Sequence, residues 1–157
     1  MKFNSFYLHC VFRDPAEYKK LVETVAANVK KLQARYEFDA IAFTGASGSA
    51  MAYPISMMTG IPIIYVRKDA ECMSTHGIPI EGPDKTIVKK FAVIDDLISS
   101  GSTVERVVNK LKDIECVCVM LYNDDNSRPK LPYSCHNKCP VYKVNLPFRL
   151  PRRKKTT

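Results

Sequence analysis

Two adjacent carboxylates, Asp95 and Asp96, directly follow the apolar run Phe91–Ile94. Adjacent carboxylates can accept hydrogen bonds from a pair of vicinal hydroxyls or hold a divalent cation. A hydroxyl- and glycine-rich turn then precedes a predicted helix start near Thr103, and the free backbone amides of a helix N-terminus bind anions such as phosphate. The turn consists of Ser99, Ser100, Gly101, Ser102 and Thr103. A sugar diol with a phosphate a few atoms away, as in ribose 5-phosphate, would satisfy both halves of this motif.

The elements that must position these residues follow from the apolar pattern. Four short runs rich in Ile and Val lack polar alternation, which is typical of strands covered on both faces in a parallel sheet. They lie at 40–43, 61–66, 91–94 and 116–121. Helical stretches at about 49–59 and 103–112 separate three of them, so the chain alternates between strands and helices. We therefore predict an α/β fold, with a Rossmann-like parallel sheet flanked by helices.

The segment before this core is predicted to hold a strand and a long helix. Residues 3–12 are aromatic and apolar, which favours a strand. Asp14 is suited to cap a helix and Pro15 to occupy its first position, and apolar residues then recur every three or four positions up to Tyr36. Residues 69–86 contain four Gly and Pro residues and few apolar ones, so we predict a long loop there, of the kind that forms lids.

Composition limits the classes of protein that need be considered. The chain has 157 residues, of which 46% are hydrophobic, so we predict one domain over 1–148 and no extensive disorder. The apolar runs fall short of the ~20 residues that a membrane-spanning helix needs. The N-terminus does not resemble a signal peptide, and the six cysteines do not resemble a disulfide framework, so we expect reduced thiols and a cytoplasmic location.

The net charge of +8 is concentrated at one end of the chain. Five of the 24 basic residues lie in the tail 149–157, which contains no acidic residue. The remaining 148 residues carry 19 basic and 16 acidic side chains, a balance of only +3. Composition therefore gives little reason to expect nucleic-acid binding, apart from contacts that the basic tail could make.

The run Val93-Ile94-Asp95-Asp96-Leu97-Ile98-Ser99-Ser100-Gly101-Ser102-Thr103 resembles the signature of type I phosphoribosyltransferases, which bind phosphoribosyl pyrophosphate (PRPP). A second match follows the strand at 40–43, where the family has its pyrophosphate-binding loop. It consists of Thr44, Gly45, Ala46, Ser47, Gly48 and Ser49. The resemblance covers about residues 38–122, which leaves 1–37 and 122–148 for a small, reduced hood over the base.

The segment after the second predicted strand looks most like the loop of orotate phosphoribosyltransferases. Arg67 and Lys68 would lie beside the leaving pyrophosphate, and His76 begins the His-Gly pair of that loop. The pattern departs from the subfamily at Glu71, because a lysine is expected after the alanine at this point. Both a preference for orotate and full activity are therefore open questions.

The resemblance implies a Mg²⁺-dependent transfer of the phosphoribosyl group from PRPP to a nitrogen of orotate or a purine base, with release of pyrophosphate. It also implies a homodimer. Asp95 and Asp96 would hold the ribose hydroxyls, and would contact Mg²⁺ only through PRPP. Thr44–Gly48 and Ser99–Thr103 would bind the pyrophosphate and the 5′-phosphate of PRPP. Residues after the last core strand would contact the base, namely Tyr122, Asn123, Asn126 and above all Asp124, Asp125 and Arg128.

Other readings of the sequence remain open. The chain could be a regulatory protein that binds PRPP without catalysis, or a nucleic-acid-binding protein that acts through its tail. A zinc site at Cys135, His136 and Cys139 would need a fourth ligand, and no residue at suitable spacing supplies one.

Overall fold

The computed structural model describes residues 11–12, 14–69, 77–96, 98, 100–122 and 139–144. These residues form three helices, α1 (Pro15–Tyr36), α2 (Gly45–Thr59) and α3 (Ser102–Lys110). They also form six strands, β1 (Ala40–Phe43), β2 (Ile63–Val66), β3 (Ile80–Glu81), β4 (Lys90–Asp95), β5 (Glu115–Leu121) and β6 (Val141–Lys143). The α/β fold and the four predicted core strands are confirmed.

The long first helix forms as its sequence predicts. The carboxylate of Asp14 accepts hydrogen bonds from the backbone amides of Ala16 and Glu17, which closes the N-terminus. Pro15 occupies the first turn, where the backbone N–H that proline lacks would have no hydrogen-bond partner within the helix. One face of the helix is buried, and its residues are Leu21, Val22, Val25, Ala26 and Val29.

The six strands form one sheet in the order β3-β2-β1-β4-β5-β6. All neighbouring strands run parallel except β2 and β3, which are antiparallel. Because β1 leads to β2 on one side and has β4 on its other side, the strand order reverses between β1 and β4. In open α/β sheets, the crevice at the carboxyl ends of the strands at such a point is where ligands bind. Thr44 and Asp95 lie at this position.

Apolar clusters cover both faces of the sheet. On one face, α1 and α2 pack over Ile41, Phe43 and Ile94. On the other face, Val104 and Val107 of α3 pack over the opposite side chains of the same strands. Burial on both faces explains why the core strands lack polar alternation. Within the part of the chain that the structure describes, each helix is too short or too polar to span a bilayer.

Several predicted boundaries are wrong. Val11 and Phe12 are helical rather than part of a strand, and the rest of that predicted strand lies outside the described residues. The stretch 69–86 is not wholly a loop, since Ile80 and Glu81 pair with Val66 and Tyr65. Ile80 packs against the second cluster, and this burial favours a short edge strand in a region with few apolar residues. Residues 70–76 of that stretch lie outside the described part, as does most of the predicted hood.

Candidate functional site

The crevice between β1 and β4 brings together the residues that the sequence singled out. The end of β1 leads into the N-terminus of α2 at Gly45, and the end of β4 carries Asp95 and Asp96. The N-terminus of α3 follows at Ser102, and β2 ends at Val66, before Arg67 and Lys68. Parallel strands place all these ends at one edge of the sheet, so groups that are far apart in sequence become neighbours.

The acidic pair is almost fully removed from solvent. Asp95 is 5% exposed and Asp96 is 7% exposed. The Oδ1 atom of Asp95 accepts hydrogen bonds from Ser47 Oγ and from the amide of Asp96, both at 2.9 Å. Burial, and then the negative charge of Asp96, raise the pKa of Asp95 to about 7. Without a ligand, two neighbouring buried carboxylates repel each other and have lost their hydration, which destabilises the folded state. Such a pair is typical of a binding site rather than of an apolar core.

The turn at the start of α2 presents backbone amides beside this pair. Gly45 has a φ of 67°, a left-handed conformation that favours glycine. Thr44 caps the helix by position, but its side chain makes no capping hydrogen bond. Within the described part of the chain, Thr44 Oγ1 is a buried oxygen with no hydrogen-bond partner. A buried hydroxyl in this state, next to free helical amides, is suited to a polar ligand.

Gly48 sets the distance between this turn and the sheet. A Cβ atom at residue 48 would lie 2.9 Å from Phe43 Cβ and 3.6 Å from the carbonyl oxygen of Ile94. No larger residue fits without moving the helix away from β1 and β4. Glycine is therefore required here for close packing of the first turn of α2 against the strands that carry the site.

We expect Gly48→Ala to lower the free energy of unfolding by about 1–3 kcal/mol, because the added methyl group overpacks the contact with Phe43. It should also displace the α2 turn and weaken anion binding there. Urea denaturation and PRPP titration measure the two effects. Gly60→Ala is the matched control at the other end of α2, where a Cβ meets no atom within 4 Å and only backbone strain results. Equal effects of both variants on PRPP binding would contradict the packing argument.

The second amide-bearing turn precedes α3. Gly101 has a φ of 84° and occupies the N-cap position. Ser100 Oγ accepts a hydrogen bond from the amide of Ser102 at 3.3 Å and lies 2.9 Å from Ser102 Oγ. Thr103 is half-buried in the first turn. This cluster of hydroxyls and amides at a helix N-terminus can bind a phosphate group. Ser99 lies outside the described residues.

Lys68 and Arg67, which the sequence assigned to one task, differ in their surroundings. The Lys68 ammonium reaches the α2 turn, since a Cβ on Gly45 would lie 3.3 Å from Lys68 Nζ. The guanidinium of Arg67 instead pairs with Glu81 and lies over the Tyr65 ring, 4.9 Å from its centre. The structure therefore brings Lys68 to the candidate anion site, and orients Arg67 toward β3.

Tyr122, one of the predicted base contacts, makes a contact that the sequence does not indicate. It is only 1% exposed, and its hydroxyl donates a hydrogen bond to the carbonyl oxygen of Ser47 at 2.5 Å. A buried tyrosine hydroxyl needs a partner, and here the partner lies in the α2 turn. The other proposed contacts, Asn123, Asp124, Asp125, Asn126 and Arg128, and likewise His76, lie outside the described residues.

The donor set at the site fits an indirectly held magnesium ion. Among the described residues, no group of three or more His, Cys, Asp or Glu side chains could hold a metal ion. Asp95 and Asp96 supply two carboxylates, and Mg²⁺ in phosphate-binding sites is commonly held by one or two carboxylates together with substrate oxygens and water. Of the residues considered for zinc, Cys139 contacts the carbonyl oxygen of Cys116, while Cys135 and His136 lie outside the described part.

Comparison with known proteins supports the predicted resemblance. No family model matches the chain. It is 29% identical to an orotate phosphoribosyltransferase of Bacillus anthracis over 131 residues, which cover 79% of this chain and 61% of the relative. It is 33% identical to a hypoxanthine/guanine phosphoribosyltransferase of Methanothermus fervidus over 109 residues, which cover 60% of this chain and 54% of the relative. The chain thus spans less than two thirds of the length of these relatives.

A solved structure gives the same result for the fold. The crystal structure of an orotate phosphoribosyltransferase from Francisella tularensis superposes with a TM-score of 0.62 at 19% identity, covering 83% of this chain and 67% of the other. The type I phosphoribosyltransferase fold predicted from the sequence is confirmed.

Proposed function

We propose that this chain transfers the 5-phosphoribosyl group from PRPP to a nitrogen of a nucleobase and releases pyrophosphate. One observation carries the proposal. The buried Asp95–Asp96 pair lies at the strand-order reversal, together with the N-termini of α2 and α3. The similarity to two relatives with phosphoribosyltransferase names supports it.

The charges of the site match the parts of PRPP. The carboxylates of Asp95 and Asp96 can accept hydrogen bonds from the two ribose hydroxyls. This role explains why two acidic residues are buried beside two anion-binding turns. The amides of the α2 turn and the Lys68 ammonium suit the pyrophosphate, while the Ser100–Thr103 turn suits the 5′-phosphate. One molecule that carries a diol between two phosphate groups would engage all three parts of the site.

The reaction needs no nucleophile from the protein. A base nitrogen that has released its proton to solvent forms a bond to C1 of the ribose as the bond from C1 to the pyrophosphate oxygen breaks, and the bonding electrons leave with pyrophosphate. The α2 amides and Lys68 stabilise the negative charge that develops on the leaving group. Asp95 and Asp96 hold the ribose so that C1 faces the base. When bound, Mg²⁺ would be held by PRPP and water beside the acidic pair, and it would neutralise part of the pyrophosphate charge.

The assembly and location expected from the sequence belong to this proposal. α2 contains no charged residue and exposes the apolar side chains of Tyr53, Met57 and Met58, a surface suited to contact with a second copy of the chain. Cys116, Cys118 and Cys139 carry thiols rather than disulfides, which supports a cytoplasmic location.

The test is to incubate the protein with PRPP, Mg²⁺ and single bases, and to follow pyrophosphate release. The panel is orotate, hypoxanthine, guanine and adenine, because the relatives' names cover both pyrimidine and purine substrates. We expect one base to accelerate release above the rate without a base, and mass spectrometry to show the matching nucleotide. The absence of release with every base would contradict the enzymatic proposal.

Two observations favour a second candidate, a PRPP-binding regulator without catalysis. Glu71 stands where the resemblance predicts a pyrophosphate-binding lysine, and the guanidinium of Arg67 pairs with Glu81. Both features reduce the positive charge available to a leaving pyrophosphate. Isothermal titration with PRPP, alongside the release assay, separates the two candidates. Binding without release for any base would favour the regulator.

A further inference from the structure

A line of hydrogen bonds joins three elements across the candidate site. The Tyr122 hydroxyl donates to the carbonyl oxygen of Ser47 at 2.5 Å, and Ser47 Oγ donates to Asp95 Oδ1 at 2.9 Å. Tyr122 follows β5, Ser47 belongs to the first turn of α2, and Asp95 ends β4. We propose that Tyr122 and Ser47 are positioning residues that fix the α2 turn relative to Asp95, an inference that rests on the proposed PRPP site.

Tyr122 is itself held firmly enough for this role. Its backbone amide donates to the carbonyl oxygen of Asp95 at 3.2 Å, so the residue is attached to the end of β4 as well as to β5. Its ring is buried in the apolar cluster beneath α1 and α2, and its hydroxyl reaches the first turn of α2. Because the backbone of Tyr122 is bonded to the end of β4, the position of its hydroxyl at the first turn of α2 is fixed relative to that strand.

Ser47 has two separate contacts, which make it the centre of the line. Its carbonyl oxygen receives the Tyr122 hydroxyl, while its own hydroxyl proton is directed at Asp95. Because that proton is already donated to Asp95, Ser47 would bind an anion through its backbone amide. The side chain of Ser47 thus acts on Asp95 rather than on the ligand, which refines the direct contact expected from the sequence.

The consequence is a fixed spacing between two parts of the site. PRPP carries its pyrophosphate and its ribose hydroxyls in one molecule, so the α2 amides and the acidic pair must be held at one separation to engage both. Groups held in the productive geometry before binding do not have to be ordered by the ligand. Tyr122 is thus a positioning residue for the pyrophosphate subsite, and Ser47 for both subsites.

Tyr122→Phe tests this proposal with three probes, namely PRPP with Mg²⁺, pyrophosphate with Mg²⁺, and ribose 5-phosphate. Loss of the hydroxyl frees the α2 turn but leaves the acidic pair and the α3 turn in place. We expect the dissociation constants for PRPP and pyrophosphate to rise about 3- to 10-fold, as for the loss of one hydrogen bond. The constant for ribose 5-phosphate should stay within twofold of the wild-type value. Equal changes for all three probes, or no change, would overturn the proposal.

Tyr18→Phe is the matched control. The Tyr18 hydroxyl donates to the carbonyl oxygen of Ala50, three residues beyond Ser47 in the same helix. This variant also removes a tyrosine hydroxyl bonded to a carbonyl of α2, but it does so outside the line that reaches Asp95. We expect all three dissociation constants to remain at wild-type values. A selective loss of pyrophosphate binding here would show that the Tyr122 effect is only a general loosening of α2.

Ser47→Ala provides a second, independent variant, which carries the test if Tyr122→Phe does not fold. Asp95 loses the hydrogen bond from Ser47, so we expect weaker binding of ribose 5-phosphate as well as of PRPP. Ser47→Thr keeps the hydroxyl and should restore binding of ribose 5-phosphate. Failure of threonine to restore it would overturn the assignment for Ser47. Failure of the wild-type protein to bind PRPP would instead refute the proposed function, and the two failures are therefore distinguishable.

Discussion

Replacing Asp95 and Asp96 together by asparagine is expected to lower kcat/KM at least ~100-fold, and up to ~10,000-fold, while the fold remains intact. Each carboxylate is expected to accept a charge-assisted hydrogen bond from the ribose, and such bonds contribute about 1.5–3 kcal/mol each. Asparagine has nearly the same shape, but it presents a neutral oxygen and an amide donor to the ribose hydroxyls. Pyrophosphate release with the preferred base measures the loss.

The fold should tolerate this change because it removes charge from a buried position. An asparagine at residue 95 can still accept the hydrogen bonds of Ser47 Oγ and the residue-96 amide on its carbonyl oxygen. The matched control is Asp84→Asn with Asp113→Asn, which removes two exposed acids that precede and follow the segment β4–α3. Wild-type activity of the Asp95→Asn, Asp96→Asn variant would refute the role of the acidic pair. Equal loss in the control would attribute the effect to net charge.

The second large effect is a pH-dependent gain in stability for Asp95→Asn alone. The pKa of Asp95 is raised to about 7 in the folded state, mainly by burial and then by the charge of Asp96, from an ordinary value of 3.8. Between these values the folded state holds a proton that the unfolded state has released. Stability then falls as pH rises, by at most about 1.4 kcal/mol per pH unit. Asparagine does not titrate and lacks this loss.

The variant should therefore gain stability over the wild type as pH rises from 5 to 7, and the gain should level off above pH 7. We expect the difference in the free energy of unfolding to grow by about 2–3 kcal/mol between pH 5 and pH 8. Urea denaturation of the wild type and of the variant at each pH measures it. A difference for Asp95→Asn that is the same at every pH would show that Asp95 is ionised throughout.

The buried acidic pair is thus expected to lower the stability of the unliganded protein while it supports ligand binding. Asp95→Asn, which removes one of the two carboxylates proposed to bind the ribose, should make the unliganded protein more stable at neutral pH. This is the trade-off expected where buried acids are kept for a ligand rather than for packing.

The sequence predicted most of the sheet and the location of the site. Short Ile- and Val-rich runs identified the four core strands because burial on both faces removes polar alternation. The position of Asp95 after such a run placed it at the carboxyl edge, where ligands bind in α/β sheets. The spacing from Asp14 onward likewise predicted α1, because capping and periodicity are both local signals.

What the sequence did not predict depends on contacts between distant segments. The edge strands β3 and β6 have only two and three residues, too few for a recognisable pattern. α2 begins at Gly45 rather than near residue 49, because packing of Gly48 on Phe43 and Ile94 outweighs the weak helix propensity of its first turn. The bond from Tyr122 to Ser47 joins residues 75 apart in the chain, and no local signal indicates it.

The most direct test of the central claim is an isothermal titration of PRPP into the wild-type protein and into the Asp95→Asn, Asp96→Asn variant, with Mg²⁺ present. The claim is that the acidic pair and the two helix N-termini form one PRPP site. It predicts saturable binding at one PRPP per chain for the wild type, and an affinity at least ~10-fold weaker for the variant. An absence of binding to the wild type, or equal affinity for the two proteins, would contradict it.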